Sequence, residues 1–191
     1  DLTVPAEEDV LKFFQLQAPE QIALPTSIDG YPTCEIPFRA ATASFPSRRP
    51  PGVTNVRYVD IGRKDSPALV YCNIGTGAVC AHWPMADGAP TERLATLLQP
   101  VRAEPCDLDA DGHIDLVVAD IGEFNANDSN LGRVVWLRRK PNSEKFETIV
   151  LKEGISRVAD VRPGDFDGDG DLDLLVAIFG WRSTGRTVLL E

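Results

Sequence analysis

The chain has 191 residues, 43% of them hydrophobic and 25% charged, which is enough to bury a core of its own. No apolar run approaches the roughly 18 residues of a membrane span. A net charge of −10 excludes the basic surface that a nucleic-acid binder needs.

The chain opens at Asp1 without an initiating Met, as a processed product or a fragment would. Pro5 followed by Glu7, Glu8 and Asp9 signals a helix start, with proline in the first turn and acids at the positive dipole end. Val10, Leu11, Phe14 and Leu16 give this helix a short apolar face, and Pro19 ends it. From Pro25 to Pro51 the chain is proline-rich and weakly patterned. Residues 1–52 are therefore expected to be a short amphipathic helix on an extended arm, docked on the remainder or on a partner.

Residues 53–191 repeat themselves. The stretch 60–75 aligns without a gap on 107–122 and on 165–180. Asp opens each copy, an apolar run fills its eighth to eleventh following positions, and Gly closes it. The opening aspartates, Asp60, Asp107 and Asp165, stand 47 and 58 residues apart. The longer interval falls mostly in the polar stretch 123–131, which reads as a loop insertion. A second strand signal follows each copy, at 77–83, 133–138 and 186–190, and a further one covers 146–151. Short strands with Gly and Asp punctuation indicate antiparallel β-structure. A repeat of this size holding about four strands matches one propeller blade. The expected blades span about 53–100, 101–157 and 158–191, the last one incomplete.

The second and third copies carry D-x-D-x-D-G-x-x-D. Nine Asp are packed into 107–115 and 165–173 and account for nearly the whole negative excess. Such crowded carboxylates repel unless a cation sits among them. Calcium takes six to eight oxygens. Alternate Asp at positions one, three and five would supply carboxylates, Gly at six the sharp turn, position seven a carbonyl, and the Asp at nine the closing ligand. The first candidate set is Asp107, Asp109, Asp111, the carbonyl of His113 and Asp115. The second is Asp165, Asp167, Asp169, the carbonyl of Asp171 and Asp173. An EF-hand needs Glu at position twelve, where Val118 and Val176 stand, and helices on both sides. The short apolar flanks suit a β-hairpin instead. Magnesium is a weaker fit, since it keeps several waters. An Asp-rich turn without metal is the plain alternative.

These loops and their tails resemble the FG-GAP or VCBS repeat family. Phe179-Gly180 matches the family's namesake dipeptide directly and Ile121-Gly122 loosely. The resemblance covers about 53–191, and residues 152–181 are also similar to bacterial secreted repeat proteins. It implies a calcium-binding β-propeller like the integrin α-subunit head, with calcium in a loop between two strands of a blade. The first copy departs from the pattern, with Gly62, Lys64 and Ala68 where Asp is expected. It should keep the fold and lack the metal.

Four cysteines without a CxxC motif fit either disulfides or buried thiols. A hairpin centred on Thr76 would place Cys72 opposite Cys80, close enough to bridge. Cys34 and Cys106 would then be the remaining pair. His82 and His113 are far apart in sequence, with no nucleophile beside them. Trp83, Trp136 and Trp181 either pack between blades or line a glycan platform. Asn127-Asp128-Ser129 is a formal glycosylation sequon, and Arg48-Arg49 and Arg138-Arg139-Lys140 read as solvated basic clusters. The expected function is a non-catalytic, extracytoplasmic scaffold (periplasmic, secreted or on the cell surface), stabilised by two Ca2+ and binding protein or glycan. Its protein partners could equally be remaining propeller blades. The alternatives are a structural subunit of a larger extracytoplasmic membrane or redox assembly, and a lyase or hydrolase fragment.

Overall fold

The computed structural model of the chain describes residues 52–62, 66–141, 143, 145–182 and 185–191. The chain divides into two compact units, 1–43 and 44–191, and the described residues belong to the second. The helix expected after Pro5, the proline-rich arm, Cys34 and Lys64 lie outside the described residues.

Among the described residues all regular structure is β-strand. Sheet 1 holds β1 (Val53–Val59), β2 (Ala68–Asn73), β3 (Ala78–His82) and β4 (Thr91–Thr96) in that order. Sheet 2 holds β5 (Pro100–Cys106), β6 (Asp115–Asp120), β7 (Gly132–Arg139) and β8 (Phe146–Ile155). Sheet 3 holds β9 (Arg157–Gly164), β10 (Asp173–Phe179) and β11 (Arg186–Leu190). Every pairing is antiparallel between consecutive strands.

Sheet 2 is covered on both faces, which explains why β6 is apolar at consecutive positions. Leu116 and Val118 join Val70, Val79, Ala81 and Trp83 of the sheet 1 side. Val117 and Ala119 point the other way, onto Val158, Val161, Leu174 and Val176 of sheet 3. Strand side chains alternate between faces, so a strand between two layers must be hydrophobic throughout. The repeat extends to single hydrogen bonds. Ile74 donates to the Gly52 carbonyl at 2.9 Å, and Ile121, at the matching place, donates to that of Gln99 at 3.0 Å.

The opening strands β1, β5 and β9 carry an ionic network between the sheets. Arg57, Glu104 and Arg162 each stand three residues before an opening Asp. Glu104 is nearly buried and accepts from Arg57 Nε at 2.7 Å and from its Nη2. Arg102 and Arg162 reach the same carboxylate at 3.1 and 3.4 Å. Asp160 closes the network on Arg102 at 2.8 Å. The loop 121–131 is likewise tied to sheet 3. Asp128 Oδ1 accepts from the backbone of Arg182 at 3.0 Å, and Arg157 Nη2 donates to the Phe124 carbonyl at 2.9 Å.

Several expectations need correction. Asn73 pairs with Ala78, so the turn is 74–77 and its centre lies half a residue before Thr76. Tyr71 then opposes Cys80, while Cys72 opposes Val79. A one-residue slip sends a side chain to the other face. Cys72 therefore enters the core toward sheet 2 and Cys80 packs with Tyr71 and Ala78 on the opposite side. Cys72, Cys80 and Cys106 are free thiols. Trp83 is fully buried, Trp136 packs against the sheet 2–sheet 3 core, and Trp181 is 58% exposed, so the three form no shared glycan platform. The basic cluster at 138–140 is partly solvated and also paired: Arg138 with Asp109, Arg139 by donating to the Gly62 carbonyl, and Lys140 with Glu147.

Candidate metal centre

Each Asp-rich loop joins two antiparallel strands. Cys106 pairs with Asp115 to close the hairpin β5–β6, and Gly164 pairs with Asp173 to close β9–β10. Strands on both sides remove the EF-hand reading. The sixth positions, Gly112 and Gly170, have φ of 85° and 100°, a left-handed conformation that side chains resist. The fourth positions are left-handed too, with Gly168 at 84° and Ala110 at 55°.

Carboxylates coil these loops by accepting from nearby backbone N–H groups. Asp107 accepts from Asp111 at 3.0 Å and from Gly112 at 2.9 Å. Asp111 accepts from His113 at 2.9 Å. In the other loop Asp165 accepts from Gly168 at 2.6 Å, and Asp167 from Asp169 at 3.0 Å. The coil turns side-chain oxygens inward. Asp107, Asp109 and Asp111 each place one oxygen within 4.8 Å of the other two, as do Asp165, Asp167 and Asp173. Repulsion at that range is about 1 to 3 kcal/mol per pair, between the dielectric of water and that of a protein surface.

The remaining candidates sit differently. Asp115 is fully buried and its oxygens are already engaged. They accept from Arg139 N at 2.6 Å, Trp136 Nε1 at 2.9 Å and Leu108 N at 3.3 Å. Burial pushes its carboxyl up, against the opposing pull of those hydrogen bonds. Asp173 makes the corresponding bond from Phe166 N at 2.9 Å and still faces the cluster. The ninth-position Asp thus braces the loop against its sheet. Asp169 stands apart from the second cluster and accepts from Asp171 N at 3.1 Å. That bond holds Asp169 below its ordinary value, while Asp169 pushes Asp171 up. His113 and Asp171 lie at the seventh positions, where a backbone carbonyl is the candidate ligand.

One residue that reaches the first loop from β7 was invisible to motif reasoning. Arg138 Nη2 lies 2.5 Å from Asp109 Oδ2, with its guanidinium 5.3 Å from the centre of the Trp136 ring. Both Asp109 oxygens are buried and accept no hydrogen bond, so the ion pair is their partner. Leu137 pairs with Leu116 and Leu190 with Leu174, which makes Glu191 the counterpart of Arg138. The second loop has no matching cation there. In the first copy Asp60 Oδ1 accepts from Gly62 N at 2.7 Å, and no further carboxylate of that copy joins it among the described residues.

The donor set fits a hard cation. Every clustered side chain offers carboxylate oxygen, and each loop gathers three such oxygens within 4.8 Å of one another. Residues 107–176 match the family model of the FG-GAP-like repeat, from the opening Asp of the first loop into β10. No curated protein and no solved structure matches the chain.

Proposed function

We propose, from the premise that residues 107–176 carry an FG-GAP-like repeat, that the chain is a non-catalytic, calcium-stabilised β-propeller scaffold that works outside the cytoplasm and binds a protein or glycan. The three sheets are three blades. Asp107, Asp109 and Asp111 hold one ion with the His113 carbonyl, and Asp115 fixes the loop ends to the sheet. Asp165, Asp167 and Asp173 hold the second with the Asp171 carbonyl, and Asp169 supports the coil.

The observation that carries this reading is the pair of carboxylate clusters at matching places in two hairpins. Bound calcium would supply positive charge that offsets the repulsion within each cluster. Both loops offer several short carboxylates on one turn, which suits calcium better than magnesium, an ion that keeps several waters. Affinity in the range of about 10⁻⁴–10⁻³ M is expected of extracellular modules.

The test is calorimetric. Calcium at ten times its dissociation constant adds about 1.4 kcal/mol per site through mass action. Two sites should therefore raise the melting temperature by about 6–11 °C in a domain of this size. Equal concentrations of magnesium should give less than half that shift. An unchanged melting temperature in millimolar calcium would remove calcium from the account. A second reading, a structural subunit of a larger extracytoplasmic assembly, draws support from apolar side chains on the outer strands, Val150, Leu151 and Leu189, that stay exposed.

A further inference from the structure

The two Asp-rich loops share a motif but not a counter-charge. In the first, Arg138 reaches over from β7 and lies 2.5 Å from Asp109. The Asp109 oxygens are buried and accept no hydrogen bond, so this guanidinium is what neutralises them. Asp109 is also one of the three carboxylates that converge within 4.8 Å. In the second loop no Lys or Arg among the described residues pairs with Asp165, Asp167 or Asp173.

Arg138 has a second carboxylate within reach. Its register partner across β7–β8 is Glu147, directly opposite on the same face of sheet 2. Glu147 pairs with Lys140 at 2.9 Å, and both of those side chains are half exposed, so that pair is weak and leaves room for another cation. Trp136, two residues before Arg138, keeps its ring 5.3 Å from the guanidinium and offers it a face to pivot on. A divalent ion among the oxygens of Asp107, Asp109 and Asp111 would carry twice the charge of the guanidinium and repel it at that range. The two cations compete for Asp109.

We propose that Arg138 is the resident counter-cation of the first loop: it holds Asp109 while the loop is empty and moves to Glu147 once the loop is loaded. The first loop is then a calcium-responsive element, whose loading repositions a guanidinium on the surface, and the second is a standing brace. By linkage, whatever the ion pair adds to the calcium-free fold is subtracted from calcium binding. For a half-exposed pair that is a factor of up to about five in affinity. This describes the regulation of one of the proposed calcium sites and rests on that reading.

The test compares the chain with its Arg138→Gln variant in two states. Under chelator the substitution should lower the melting temperature by about 2–4 °C. At saturating calcium the difference should vanish, because the pair it removes is already broken. Calorimetry on an Asp167→Asn background reads the first loop alone, and there Arg138→Gln should tighten calcium by up to about fivefold. On an Asp109→Asn background, which reads the second loop, it should change nothing. The unsubstituted chain supplies an independent readout: the Arg138 Nε–H signal in a nuclear magnetic resonance spectrum should shift as the first loop fills, since the guanidinium moves against the Trp136 ring. An equal loss of stability with and without calcium would make Arg138 a purely structural residue and overturn the proposal. So would first-loop affinity that is unchanged or weaker, or an Arg138 signal that ignores calcium. Each of these results, with calcium still bound, leaves the calcium reading standing. No calcium heat at either loop removes that reading and the proposal with it.

Discussion

Replacing Glu104 by Gln tests whether the ionic network joins the three sheets. The substitution keeps the shape and removes the charge that faces Arg57, Arg102 and Arg162. The amide also turns two N–H donors toward guanidinium donors. Stripping one partner from a buried ion pair costs about 3–5 kcal/mol. Here the Arg57 and Arg162 side chains are 35% and 47% exposed and can rehydrate, whereas Arg102 is 19% exposed and cannot do so fully. The discounted cost is about 2–3 kcal/mol, which lowers the melting temperature by about 4–12 °C. Burial by itself pushes the Glu104 carboxyl up, but the Arg57 hydrogen bond and the charges of Arg102 and Arg57 together outweigh it and hold it below its ordinary value. The contribution is therefore complete above the unfolded-chain value near about 4.3 and is lost as pH falls through the lower folded value. Urea unfolding followed by tryptophan fluorescence should show the full gap between the two proteins at pH 7 and pH 5. The gap should close as pH falls below the unfolded-chain value. A gap under about 0.5 kcal/mol at pH 7, or one that widens in acid, would refute the reasoning.

Arg138→Gln frees Asp109 and should strengthen calcium at the first loop by up to about fivefold, the worth of a half-exposed ion pair. Titration of each loop in isolation, with the other disabled, would detect it, and unchanged affinity would count against competition by Arg138. Gly170→Ala should cost about 1–2 kcal/mol because its φ of 100° suits only glycine, whereas Ala110→Gly should be neutral or stabilising. Equal losses from both, measured by chemical unfolding, would contradict the assigned backbone. Burial pushes the Cys72 thiol up to about 12 and raises that of Cys80. Both should resist alkylation at pH 8 until the chain unfolds, and fast labelling of the folded protein would exclude the register described.

The Asp loops were legible because a tight turn constrains local sequence. Gly112 and Gly170 occupy left-handed positions that the spacing of the motif alone announces. The strands β2, β6 and β10 were legible as short apolar runs, since each is covered by neighbours. The opening strands were harder. β1, β5 and β9 carry Arg57, Glu104, Arg162 and three prolines, because their polar side chains pair across sheets rather than pack as hydrophobes. The shared place of those three residues before the opening Asp was the available signal. Register failed at Cys72 because turn length, which no pattern fixed, decides which face a side chain takes. Asp115 looked like one more ligand, and only the fold reveals that Trp136 and Arg139 already occupy its oxygens.

The central claim is two calcium ions in two hairpin loops, and calorimetric titration of the chain tests it most directly. The account predicts a stoichiometry of two, reduced to one by Asp109→Asn and separately by Asp167→Asn, and to none by both together. Heat for no ion, or two ions that survive both substitutions, would contradict it.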